Sequence, residues 1–260
     1  MTHRIREYHR PEEATKAHEL LARTDVRTKP LSIGPKPSME PYADVDAVVD
    51  FERLGYSFIE QANEGILVGP MTPLQDLIES PLVRSIADGI VSEAAQLTAH
   101  LGLRHLATVS SVVDAEDCPP EVRLVFNALE AAYLPLTSRR LGASVALRSR
   151  PGLHGALARV ARSPRDQAIV AACAVVEADA GICREVRLAV SCPKPVRIGS
   201  VEGMLKGKAF TPELLRTASE AVMNEVEPAG DFRGSAEYRR EMAGVLARRA
   251  LEAAWKRANI

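Results

Sequence analysis

Apolar positions along the chain recur with two periods, and the clearer of the two lies at the end. Leu214, Ala218, Ala221 and Val222 share one face at helical spacing, and Tyr238, Met242, Val245, Leu246, Ala250 and Ala253 form a second stripe. Thr211 is a good N-cap, Pro212 suits the first helical position, and Glu213 favours the positive helix start. Pro228 and Gly230 stop the first helix, and Ser235 caps the second. Two such amphipathic helices must lay their apolar faces on something larger, so the pattern alone predicts a structural end cap. Upstream, Ala168–Ala178 and Cys183–Cys192 flank Asp179-Ala180-Gly181, which predicts a β-hairpin.

The remaining pattern predicts a mixture. Helices are expected over 12–22, 73–79, 86–101 and 121–132, and strands over 29–33, 46–51, 66–69 and 139–147. Turn signals at Gly55, Asn63-Glu64-Gly65 and Ser80-Pro81 separate them.

Composition narrows the function classes. The chain has 260 residues, 46% hydrophobic and 26% charged, with a net charge of −1 and only 4% aromatics. Scattered charge argues against a nucleic-acid surface, and few aromatics against a base-stacking platform. No run approaches membrane-spanning length, and the first residues lack an apolar signal core, so a cytoplasmic setting fits. Cys118, Cys173, Cys183 and Cys192 make no CxxC pair, which excludes iron–sulfur and zinc spacing; no metal site is expected. Cys173, inside IVAACAVV, reads as a buried small hydrophobe.

The runs Gly207-Lys208-Ala209-Phe210-Thr211, Glu227-Pro228 and Asp231-Phe232-Arg233-Gly234-Ser235-Ala236-Glu237-Tyr238-Arg239 resemble the C-terminal domain of the flavoprotein (medium) subunit of molybdenum hydroxylases, the carbon monoxide dehydrogenase and xanthine dehydrogenase family. The resemblance implies an α+β fold. A two-lobed FAD-binding domain of the PCMH type would occupy 1–60 (small α/β lobe) and 61–165 (larger mixed lobe). A C-terminal domain of helices on a three-stranded antiparallel sheet would occupy 166–260. It also implies FAD between the first two lobes, and molybdopterin and iron–sulfur subunits as partners if the family role is kept.

The same resemblance places cofactor contacts on particular residues. Gly34, Lys36 and Ser38 fall on the first flavin loop, Thr72 on a Gly-x-x-Thr segment, and Arg104, Thr108, Ser110 and Ser111 on the second loop. Asp114 falls near the flavin ring and Asp166 on a later turn. The glycines expected on both loops have changed. Ile33 and Pro35 stand in the first, and Ser110 and Ser111 in the second. Proline has no N–H to donate, and each Cβ limits backbone approach to a phosphate. A ring-contacting tyrosine is replaced by Leu157.

The favoured reading is therefore a divergent homologue that binds no FAD in the family manner. Its cleft would be reused for another small molecule, for cofactor-independent catalysis or for a structural role. The alternative is a working FAD-binding electron-transfer subunit. No nucleophile elbow exists. His105 and Asp114 are candidates for catalysis, and His154, also near the expected cleft, is a further acid–base candidate. A homo-oligomer stays open, and neither nucleic acid nor membrane is an expected partner.

Overall fold

The computed structural model describes residues 5–31, 42–63, 65–113, 118–134, 144–164, 166–192 and 194–260. Three sheets follow one another along the chain. The first is formed by β1 (Glu7–His9), β2 (Thr28–Pro30) and β3 (Ala47–Val49), with α1 (Ala14–Leu21) between β1 and β2. All pairings are parallel and β3 lies in the middle. A central parallel strand is covered on both faces, which explains why Ala47, Val48 and Val49 are all buried. Val49 joins Ala17 of α1, while Val48 packs with Tyr42 and Val45.

The second lobe holds β4 (Ile59–Ala62), β5 (Gly65–Val68), α2 (Leu74–Glu79), α3 (Pro81–Arg84), α4 (Ile90–Thr98), α5 (Leu101–Arg104), α6 (Val109–Val113), α7 (Glu121–Ala128), β6 (Ala132–Leu134) and β7 (Ser144–Arg148). Its sheet is antiparallel, in the order β4-β5-β7-β6. The helix expected over 86–101 is broken at both ends. Asp88 and Gly89 adopt φ of 62° and 79°, so α4 begins only at Ile90, and Ala99 is extended, which detaches α5.

The third lobe comprises β8 (Leu153–Val160), β9 (Val170–Asp179), β10 (Ile182–Ser191), β11 (Pro195–Arg197), α8 (Gly199–Leu205), α9 (Pro212–Glu225) and α10 (Ala236–Ala258). Its antiparallel sheet has four strands, β11-β10-β9-β8, where three were expected. β8 precedes position 166 and pairs with β9 from Leu153–Glu177 to Val160–Val170.

The run IVAACAVV is explained by β9 being covered on both faces. Ala171, Cys173 and Val175 point into the core shared with the second lobe, while Val170, Ala172, Ala174 and Val176 point into the core under the helices. Burial pushes the Cys173 thiol well up, so it stays protonated, as a packing residue should. The turn between β9 and β10 uses left-handed Ala180 and Gly181, at φ 49° and 75°.

The end cap forms as expected, with one rotation. Thr211 and Ser235 cap α9 and α10 through their hydroxyls, on the N–H groups of Leu214 and Tyr238. On α10, however, Tyr238 is exposed and Met242, Val245 and Ala253 are only half buried. The buried face is Arg239, Ala243, Leu246, Ala247, Ala250 and Ala254. Small side chains let α10 lie close on β8 and β9. At Gly244, an added Cβ would stand 2.7 Å from Ser219 O and the Met223 side chain of α9. No helix among the described residues is long and apolar enough to cross a membrane.

Candidate functional site

Two segments of the second lobe, Gly69–Pro73 and Ala107–Ser111, are laced together beside α6. Gly69 has a geometric reason to be glycine, because a Cβ there would stand 2.2 Å from Tyr56 O and 2.8 Å from the Phe58 ring. This closeness seats Thr72, which is 1% exposed. Its hydroxyl accepts from Phe58 N at 3.1 Å and donates to Phe58 O at 2.9 Å. The N–H of Leu74 donates to Ala107 O at 2.9 Å.

The expected second loop is the first turn of α6, capped reciprocally. Ser111 N donates to Thr108 Oγ1 at 3.4 Å, and Thr108 N donates to Ser111 Oγ at 2.9 Å. Ser111 Oγ in turn donates to Thr108 O at 2.7 Å, and Ser110 Oγ lies 3.2 Å from Thr108 Oγ1. Val109 N donates to Thr72 O at 3.0 Å and Ser110 N to Pro70 O at 2.9 Å. Three successive backbone donors, at 109, 110 and 111, are thus taken by protein acceptors. The Ser111 hydroxyl completes this cap, and the donors of Val109 and Ser110 are spent on the Gly69–Pro73 segment.

The other expected residues lie elsewhere. Arg104 caps the end of α4, donating from Nε to Ala99 O and from Nη2 to Gln96 O, each at 2.6 Å. Asp166 pairs with Arg162 at 3.4 Å, and its carbonyl accepts from Arg159. Both line a cleft of about 860 Å³, between α5 and the Asp231–Gly234 turn. His105 is exposed at the end of α5, and His154 pairs with Asp88 at 3.1 Å. Gly34, Lys36, Ser38 and Asp114 lie outside the described residues. The structure therefore brings Thr72, Thr108, Ser110 and Ser111 together, and sets Arg104 and Asp166 apart from them.

Sequence reasoning missed the polar groups that the fold buries. Glu121 is 0% exposed at the start of α7 and meets Arg159 of β8 at 3.2 Å. Burial raises its pKa, while Arg159 and the nearby amides of Glu121 and Ala168 oppose the rise. An acid in a first helical turn after Pro119-Pro120 looks like an ordinary solvated residue, so no pattern marks it. Arg239 is different. It sits on the register Arg239, Ala243, Leu246, Ala250, Ala254, and a cation on an otherwise apolar register signals an internal ion pair. It is 2% exposed and holds Asp231 Oδ1 at 2.5 Å.

Likeness to known proteins bears out the resemblance read from the sequence. A family model, the CO dehydrogenase flavoprotein C-terminal domain, matches residues 156–254. Over 281 residues the chain is 29% identical to the carbon monoxide dehydrogenase medium chain of Hydrogenophaga pseudoflava, covering 96% of this chain and 97% of that one. The chain resembles carbon monoxide dehydrogenase medium chains over nearly its whole length. A solved structure of carbon monoxide dehydrogenase from Hydrogenophaga pseudoflava, lacking the Mo-pyranopterin moiety of the molybdenum cofactor, superposes with a TM-score of 0.87. It covers 99% of each chain at 26% identity. The nicotine 6-hydroxylase medium subunit of Paenarthrobacter nicotinovorans is 25% identical over 80% of this chain and 82% of its own length. The fold expectation of an α+β medium chain therefore holds. Relatives named for such different substrates show that likeness to these medium chains does not fix the substrate.

Proposed function

We propose that the chain is a medium-chain subunit of a multi-chain oxidoreductase, and that its cleft between the first two lobes does not cradle a flavin dinucleotide in the family manner. Its contribution to the complex is then structural. The observation that carries this reading is the inward turn of the N–H groups of Val109, Ser110 and Ser111. A pyrophosphate is held by backbone donors that face it with no Cβ in the way. Here those donors have acceptors already, and both glycine positions carry side chains. The Thr72, Thr108 and Ser111 hydroxyls are also engaged with backbone. In the first loop, Pro35 offers no N–H at all. The donor set does not fit the group, and no electron-transfer step is derived through it.

A second reading, a working FAD-binding subunit, is favoured by the near-complete length match to carbon monoxide dehydrogenase medium chains and by the Thr72, Arg104, Thr108 and Asp166 positions. The absorption spectrum of the purified, undenatured protein, with flavin analysis after heat release, separates the two. A colourless protein is expected. Flavin at near one per chain would establish the second reading.

A further inference from the structure

The Asp231–Gly234 turn joins rigidity to exposure. Asp231 and Gly234 exchange backbone hydrogen bonds of 3.0 and 3.1 Å, and Arg233 N donates to Asp231 Oδ1 at 2.7 Å. The buried Arg239 grips the turn from below, through Asp231 Oδ1 and through Gly234 O at 3.3 Å. Gly234 is packed so closely that a Cβ would stand 3.1 Å from the Tyr238 ring. Yet the turn holds Phe232 in solvent at 82% exposure. Fixing the backbone in this way leaves little entropy to lose when the ring is covered, which is the property of an interface anchor.

The rest of the cleft matches that role. Leu101 of α5 lines it too, 65% exposed. The Arg233 and Arg162 guanidiniums lie 5.3 and 5.9 Å from the Phe232 ring centroid. Among the described lining residues, Arg104, Arg162 and Arg233 face a single carboxylate, Asp166. Arg104 is committed to helix carbonyls. Arg233 is held by Gln167 Oε1 at 3.0 Å and Arg162 by Asp166, which leaves each guanidinium with donors to spare for an incoming carboxylate.

We propose that this cleft docks an acidic segment of a companion protein chain, with an apolar side chain entering between Leu101 and Phe232 and Asp or Glu residues meeting Arg162 and Arg233. A second copy of this chain is a poor occupant, because a two-fold contact sets the same arginines against each other. A small ligand on the floor of the cleft would leave Phe232 and Leu101 wet at the rim. The inference rests on the subunit reading above, and the experiment separates the two.

The full chain, tagged and carrying p-benzoylphenylalanine at position 232, is expressed in the cells it comes from, irradiated and purified. Cross-linked peptides are then identified by mass spectrometry. In parallel, unmodified wild type, Arg162→Glu/Arg233→Glu, Phe232→Ala and the surface control Ile182→Ala are purified at low and high salt, with circular dichroism to confirm folding. Wild type and Ile182→Ala should retain companion chains at fixed stoichiometry, and the charge reversal should lower their recovery at least about tenfold. The cross-linked peptide should place an apolar residue among Asp or Glu. Equal recovery with all variants, or a cross-link to a second copy of this chain, overturns the docking surface but leaves the subunit reading intact. A wild-type chain that retains no companion at either salt overturns both.

Discussion

Two short segments, Thr108–Ser111 and Asp231–Gly234, are built from the same material and used in opposite ways. Each is a capped turn whose backbone groups are satisfied within the protein. The first turns its donors and hydroxyls inward, and Thr108 and Ser111 are buried. The second fixes its backbone so that Phe232 and Arg233 point away from it. In the first, side chains complete the fold. In the second, the fold presents side chains. Polar residues in a motif therefore do not mark a binding loop by themselves; what matters is where their hydrogen bonds end.

That contrast can be broken by experiment, and the largest test concerns what lies between the two segments. Arg159→Met leaves the buried Glu121 carboxyl without its partner, and should cost about 3–5 kcal/mol in urea unfolding. The double variant Glu121→Gln/Arg159→Met should recover most of that loss, since an absent pair is cheaper than half of one. Thr72→Val removes the hydroxyl that accepts from Phe58 N and donates to Phe58 O, and should cost about 1–3 kcal/mol. If Thr72→Val is neutral, the hydroxyl is not structural and the inward reading fails at its centre. Ser111→Ala removes half of the reciprocal cap on α6 and should cost about 1 kcal/mol, read as a lower denaturation midpoint at unchanged slope.

The outward segment should behave differently. Phe232→Ala should change stability by less than about 0.5 kcal/mol, because the ring is already in water. A larger loss would mean the ring supports the turn. Acid offers a finer probe. The Arg239 guanidinium, followed by the Arg233 amide, holds the Asp231 carboxyl below the usual range. A depressed folded pKa gives stability that is present above the unfolded value near 4 and is lost as pH falls through the folded one. Melting temperature should fall on acidification through that window, and Asp231→Asn should flatten this part of the profile.

Much of the fold was legible in the sequence, for definable reasons. Thr211-Pro212-Glu213 and Ser235 mark helix starts that need only local chemistry, and Asp179-Ala180-Gly181 marks a hairpin by turn chemistry alone. The stripe on α10 was read one position off because the sequence pattern favours large residues, whereas the structure buries Ala243, Gly244, Ala247 and Ala250 against a close sheet. The break before α4 turns on Asp88 at positive φ, which no periodicity announces. β8 was missed because its alternation is weak, with half-buried residues along most of its second half. In the candidate site, the residue types at 72, 108, 110 and 111 were legible but their partners were not, because Phe58, Pro70 and Thr72 reach them only through the fold. Glu121 was invisible for the same reason.

The central claim is that the second-loop donors are no longer offered to a dinucleotide. It is tested most directly by titrating FAD into the purified chain while following flavin fluorescence and heat. The account predicts no saturable uptake at micromolar FAD. Binding of one FAD per chain, abolished by a bulky substitution at Ser110, would contradict it.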